Sequence, residues 1–278
     1  MNVCHVITGL NTGGAEVMLQ KLVAATAGNG ITHTVVSLID RGPIGDALAA
    51  RGIRVEALGM RRGVPDVRGL VALRALIGQC RPQVVQTWMY HANLLGGAAA
   101  RLAGVRAVVW NIRAARLERS SEKRSTIWIA RQSGKVARYL CCRIVTNSED
   151  ARHVHEQMGY PSRLFAVIPN GFDLATFRPD ANARREVRAE LGLVPEAPLI
   201  GMVSRFHPGK EHRTFVEAAG NWPRAGRTSI SSWRATGSTP RTRPWPNGLR
   251  ARGSADACTC SEAARTHLAC SRRWTCPR

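Results

Sequence analysis

Residues 1–23, MNVCHVITGLNTGGAEVMLQKLV, set out the fold in miniature. "NVCHVIT" is a short, β-branched and nearly continuous apolar run, the composition of a strand buried on both faces. Apolar residues at helical spacing then run from Ala15 to Ala27. Between the two, Gly9, Gly13 and Gly14 allow a tight turn and a close approach of backbone to a ligand. The helix that follows aims its free N–H groups at the same spot. Two familiar phosphate loops do not fit. A P-loop requires Lys after its second glycine, where Ala15 stands, and the dinucleotide fingerprint requires glycine spacings of two and three. Taken alone, the glycines are equally well explained by a turn.

The same alternation continues outward. "THTVVSLI", "IRVEAL", "VVQTW", "AVVWNI", "RIVTNS", "LFAVIPN" and "LIGMVS" read as further strands, with helix-length stretches such as Leu70 to Cys80 between most of them. Strand, helix, strand in this rhythm predicts an α/β fold with a parallel sheet covered on both faces. Such sheets bind ligands beyond the carboxyl ends of their strands. A length of 278 residues favours two domains of ordinary size.

The chain carries a formal charge of +21, which invites a nucleic-acid or anionic-membrane reading. The charge is unevenly placed. Residues 1–219 hold 29 Lys and Arg against 17 Asp and Glu, whereas 220–278 hold 11 against 2. No helix-turn-helix, RNA-binding or zinc pattern puts that charge to work, so nucleic acid is not expected as a partner. No uninterrupted apolar segment reaches the ~18 residues of a membrane span. The start lacks a basic flank and a small-residue cleavage site, so a cytoplasmic protein is expected. Cys4, Cys80, Cys141 and Cys142 lie in apolar surroundings, as buried free thiols do. Cys258, Cys260, Cys270 and Cys276 lack the paired spacing of a zinc site.

Four motifs occur in order: "GGAE" at 13–16, "VTNSE" at 145–149, "VIPNGFDLATFRP" at 167–179 and "GMVSRFHPGKEHRTFVEA" at 201–218. Together they resemble glycosyltransferase family 4, retaining enzymes of the GT-B fold, in which two Rossmann-like domains face each other across a cleft. The resemblance runs from Met1 to about Ala219. It implies an acceptor-side domain over 1–190, and a donor-binding domain of which 191–220 supply only the first strand, turn and helix. "QTWMYHANLLGG", at 86–97, looks like a subgroup that decorates lipid-linked or cell-surface glycans.

The resemblance also implies roles. Arg205 and Lys210 match the basic pair that binds the donor diphosphate and stabilises the charge developing on the leaving group. Gly13 and Gly14 match the loop beside the phosphates and the reacting sugar. Where the family often has a His after the strand corresponding to "AVVWNI", this chain has Asn111, Ile112 and Arg113. With His91, Asn111 and Arg113 form the acceptor-side candidates. His91 reads equally as a structural hydrogen-bonder. Asn147, Asn170 and Asp173 are expected to shape turns. The partners implied are a nucleotide sugar and a glycan or lipid-linked acceptor; no cofactor or metal is expected.

Residues 113–143 hold nine Arg or Lys and two Glu, with apolar residues interleaved at mostly helical spacing. Such a segment can lie on anionic lipid, or be a solvated face over a buried stripe.

After Gly220 the pattern breaks. Residues 221–278 contain Ile230, Leu249 and Leu268 as their only Ile, Leu, Val, Met or Phe, yet four of the seven Trp, half of the Cys and no Lys. That composition cannot bury a core, so a disordered tail is expected. It also differs from natural disorder and suits a GC-rich gene read out of frame. Codons built from the last base of one residue and the first two of the next turn "NWPRAGRTSISSWRATG" into "LAARWPDVHFILAGDG". The same shift turns "GSADACTCSEAARTHLACSRRWTC" into "LGGRVHLLGGGADAPRLLTALDV". Both resemble the next elements of the same domain, which points to a change of frame near Gly220. Family members carry further along a Glu, seven residues, Glu motif that holds the donor. After Ala219 the only Glu is Glu262. The chain as written is therefore expected to have little transferase activity. A non-catalytic glycan- or lipid-binding remnant is the alternative.

Overall fold

The computed structural model describes residues 1–61, 67–114, 117, 123–196, 199–204, 210–220 and 229–234. The chain divides into two compact units, Met1–Asn170 and Gly171–Arg278. The division precedes the boundary read from the sequence, so Ala181–Glu190 belongs to the second unit.

In the first unit, strands β1 (Asn2–Ile7), β2 (Thr32–Ser37), β3 (Arg54–Ala57), β4 (Val84–Trp88), β5 (Val108–Ile112), β6 (Arg143–Thr146) and β7 (Phe165–Val167) form one sheet. Its order is β3-β2-β1-β4-β5-β6-β7, and every pairing is parallel. Helices α1 (Gly14–Thr26), α2 (Gly42–Ala49), α3 (Val67–Cys80), α4 (Tyr90–Leu102), α5 (Arg124–Leu140) and α6 (Glu149–Gln157) make the connections. Parallel neighbours need such crossovers, which is why apolar strands and helix-length stretches alternate in the sequence.

Alternate residues of each strand serve opposite faces. Cys4, Val6 and Val36 join a core with Leu73 and Ile77 of α3, Ala99 of α4 and Ala130 and Ala137 of α5. Ile7 and Val35 point the other way, against Leu19 and Val23 of α1 and Leu48 of α2. The inner strand β1 is thus buried on both sides from Val3 onward. Helix α4 lies directly on the sheet because Gly96 and Gly97 face it. A Cβ on Gly96 would stand 2.8 Å from Thr87 Cγ2, and one on Gly97 2.9 Å from Trp110 Nε1.

Two histidine clusters tie neighbouring elements together. His5 Nε2 and His33 Nδ1 are 3.0 Å apart, and His33 Nε2 is 3.0 Å from Thr26 Oγ1. Burial first, and His33 second, push the His5 pKa down to about 3. Tyr90 Oη and His155 Nε2 are 2.8 Å apart and join α4 to α6.

The second unit contains α7 (Ala181–Glu190), β8 (Leu199–Ser204), α8 (His212–Gly220) and β9 (Ser229–Arg234). Asp180 caps α7, its carboxylate accepting from the Asn182 and Ala183 N–H groups at 2.9 and 3.0 Å. Strand β9 corrects the sequence reading, which places no folded element in 221–278 and no partner beside β8. Ser229–Arg234 pairs in parallel with Leu199–Ser204 over six residues. A ladder is made by backbone groups, and "SISSWR" has no Pro or Gly to interrupt it. The rest of 221–278 lies outside the described residues.

Candidate functional site

The carboxyl ends of the seven strands share one edge of the sheet. After β1 the chain passes Leu10, fully buried, and reaches Gly13, whose extended backbone (φ −159°) precedes α1. The Gly13 carbonyl accepts the first helical bond from Val17 N–H at 3.0 Å. Glu16 folds back over Gly13: a Cβ there would meet its carboxylate at 2.3 Å. Gly14 borders open space. The loop is braced from the neighbouring crossover. Asn11 Nδ2 donates to both Asp40 oxygens at 3.0 and 3.2 Å, and Ile44 N–H donates to the Leu10 carbonyl at 3.0 Å. Gly42, at φ +52°, sits so close that a Cβ would lie 2.5 Å from the Leu10 oxygen.

The β4 and β5 ends carry a second set of groups. Trp88 closes β4, and Met89 follows with φ +69° and ψ 165°, a conformation that costs a non-glycine residue on the order of 1–3 kcal/mol. It is held from both sides. Its N–H donates to the Asn111 carbonyl at 2.9 Å, and its carbonyl accepts from Asn93 N–H at 2.8 Å. The Asn93 amide and Thr87 hydroxyl are hydrogen-bonded at 2.7 Å beneath it.

Arg113, just past β5, crosses this junction. Its guanidinium lies over the Trp88 ring, 5.6 Å from the centroid. Nη1 donates to Asn170 Oδ1 at 2.8 Å and Nη2 to Asn111 Oδ1 at 3.2 Å. The side chain is half-buried, and that burial pulls its pKa below the ordinary arginine value. Among the described residues, several buried polar atoms of these strand ends have no hydrogen-bond partner: Asn111 Nδ2, Arg113 Nε, Trp88 Nε1, Asn147 Oδ1 and Thr8 Oγ1.

Of the residues singled out in the sequence, Asn111 and Arg113 are therefore brought together, and Gly13 and Gly14 stand at the β1 end of the same edge. His91 is the second residue of α4, partly buried, and its pKa is lowered by burial, which favours the neutral imidazole. Asp173 shapes a turn, accepting from Ala175 N–H at 3.0 Å and from the Thr176 hydroxyl at 2.6 Å. Lys210 is exposed in the second unit, next to Glu211 at φ +52°. Arg205 lies outside the described residues. Trp88, Met89 and the Asn170 contact are not read from the sequence. "QTWMYHAN" signals a strand end, but nothing in it marks Met89 as the strained position.

The architecture of the first unit is that of a Rossmann-like domain of a GT-B protein. Anabaena HepE, solved with UDP and with UDP-glucose, superimposes with TM-scores of 0.68 and 0.67 at 18% identity, over 84% of this chain and 60% of that one. A glycosyltransferase from Rickettsia africae gives 0.61 at 13% identity over the same shares. The chain belongs to glycosyltransferase family 4, which residues 12–176 match. The Escherichia coli UDP-Gal:alpha-D-GlcNAc-diphosphoundecaprenol alpha-1,3-galactosyltransferase is 30% identical over 159 residues, 56% of this chain and 40% of that protein. EpsF of Bacillus subtilis is 28% identical over 236 residues, 81% of this chain and 59% of that protein. The chain thus spans about half the length of these curated relatives.

Proposed function

We propose that this chain comes from a retaining glycosyltransferase that moves a sugar from a nucleotide-sugar donor to a glycan or lipid-linked acceptor in cell-surface or exopolysaccharide synthesis. The observation that carries the reading is the family 4 match over 12–176, which spans both the glycine loop and the Arg113 cluster on one edge of the sheet. A lipid-linked acceptor is supported by the E. coli relative, whose name specifies a diphosphoundecaprenol-linked sugar. Arg205 and Lys210 hold the donor diphosphate in this reading, with no metal or cofactor.

The 278-residue chain itself transfers little sugar, because the donor-gripping Glu pair is absent after Ala219. In this reading a shifted frame near Gly220 encodes that pair. The test is to resequence the gene across codons 217–222, restore the open frame, and assay both chains for transfer from labelled UDP-sugars to membrane extracts. Transfer by the restored chain alone supports the proposal. Robust transfer by the 278-residue chain defeats the inactivity claim. A shifted frame that closes at once favours the non-catalytic binding remnant.

Contact with the inner membrane face is part of the proposal. Helix α5 exposes Arg124, Arg131, Lys135 and Arg138, together with Trp128 and Tyr139, each 62% exposed, and contains no acidic residue. Four cations at ~1 kcal/mol each near an anionic surface, with two interfacial aromatics, suffice for reversible binding. Flotation with phosphatidylglycerol vesicles, but not with phosphatidylcholine, is the expected result, and Trp128→Ser with Lys135→Glu and Arg138→Glu should abolish it. Equal flotation of that triple variant rules α5 out.

A further inference from the structure

We infer that Arg113 is a receptor for phosphate oxygens, the anchor of a diphosphate-bearing ligand at the β4–β5 edge; the inference rests on the glycosyltransferase reading above and names the charge that this edge selects. Arg113 is half-buried, yet among the described residues no carboxylate pairs with it. Its partners are two neutral amide oxygens, from Asn170 and Asn111, and the face of Trp88. A buried charge is ordinarily compensated, and here the positive charge is positioned but left intact.

Asp40, elsewhere on the edge, is taken by Asn11. The guanidinium is also pre-organised, since two hydrogen bonds hold it over the Trp88 ring. A planar fork held in that way suits phosphate oxygens, which it can take in pairs.

A second, independent observation comes from the surrounding atoms. Asn111 is fully buried with Nδ2 unpartnered, and Asn147 Oδ1 and Trp88 Nε1 are likewise unsatisfied. Buried polar groups without a partner call for an explanation, and five of the nine found among the described residues belong to these strand ends. The strained Met89 lies between Trp88 and the first turn of α4, in contact with the same arginine: Arg113 N–H points at Met89 Sδ at 3.5 Å. Strain of this kind clusters at ligand sites.

Two sources carry the required chemistry, a nucleotide diphosphate and a prenyl-linked diphosphate. The test is calorimetric titration of the full 278-residue chain with inorganic pyrophosphate at low salt, repeated in the presence of UDP or farnesyl diphosphate. Saturable binding is expected, weakened at least ten-fold in Arg113→Gln and less in Arg113→Lys, with melting temperatures checked in parallel. Asn170→Asp provides a second variant that keeps the guanidinium and hands it a carboxylate, and pyrophosphate binding should fall at least five-fold. Competition by UDP assigns the site to the donor, and competition by farnesyl diphosphate to a lipid-linked acceptor. Either outcome supports the inference. It is overturned if pyrophosphate fails to bind in the millimolar range, if folded Arg113→Gln binds as wild type, or if neither diphosphate competes. Because no turnover is read, failure here is separable from failure of the restored chain to transfer sugar.

Discussion

Arg113 reaches across the strand ends to Asn170, 57 positions later in the chain, and donates to its side-chain oxygen at 2.8 Å. Asn170 is the last residue of the first unit, so this bond fastens the chain as it leaves β7. Because Asn170 is exposed, Asn170→Ala should cost only ~0.5–1.5 kcal/mol. Faster tryptic cleavage at Arg178, with the melting temperature of the first unit little changed, is the expected result.

The seat of α4 gives a steric prediction. Gly97→Ala places a methyl 2.9 Å from Trp110 Nε1 and 3.3 Å from its Cζ2. The indole is buried and has nowhere to go, so a loss of about 1–3 kcal/mol is expected in urea denaturation. Gly78→Ala, in α3, meets nothing within 4 Å and should stabilise by ~0.5–1 kcal/mol.

The buried histidine pair predicts acid sensitivity. His5 titrates at about 3 in the folded chain and near its ordinary value of 6.5 when unfolded. Between those values the unfolded state binds more protons, so stability is complete above about pH 6.5 and falls as the pH drops toward 3. The loss is on the order of a few kcal/mol from this site. Chemical denaturation at pH 7, 5 and 4 should show the decline, with His155, also lowered by burial, adding to it. His5→Leu should make the decline shallower.

A capping prediction concerns α6. Ser148 Oγ accepts from Ala151 N–H at 3.2 Å and starts the helix. Ser148→Ala should cost about 1 kcal/mol and speed hydrogen exchange in the first turn of α6.

All eight strands β1 to β8 were legible in the sequence, because short β-branched runs between helix-length stretches are a local signal, strongest in a strand buried on both faces such as β1. The glycine loop was legible for the same local reason. Asn111 and Arg113 stood out as a departure from a family pattern, but their arrangement did not. The contact with the Trp88 ring and the hold on Asn170 bring together residues 25 and 57 positions from Arg113, a distance no local pattern records. Met89 was invisible because its strain is imposed by Asn111 and Asn93 from outside. Strand β9 was missed because backbone pairing asks little of side-chain composition.

The strand order has a consequence for synthesis. The first strand made, β1, ends in the middle of the sheet, with β2 on one side and β4 on the other. Strand β4 joins the free edge of β1, and from β5 to β7 each new strand joins the edge left by the one before it. A nascent chain can therefore extend this sheet in the order in which it leaves the ribosome, with no gap awaiting a later segment, and domains generally fold N-terminal first during synthesis. The last of its strands ends at Val167, well upstream of residue 220. Whatever frame the ribosome reads beyond that point, the first unit already has every strand of its sheet.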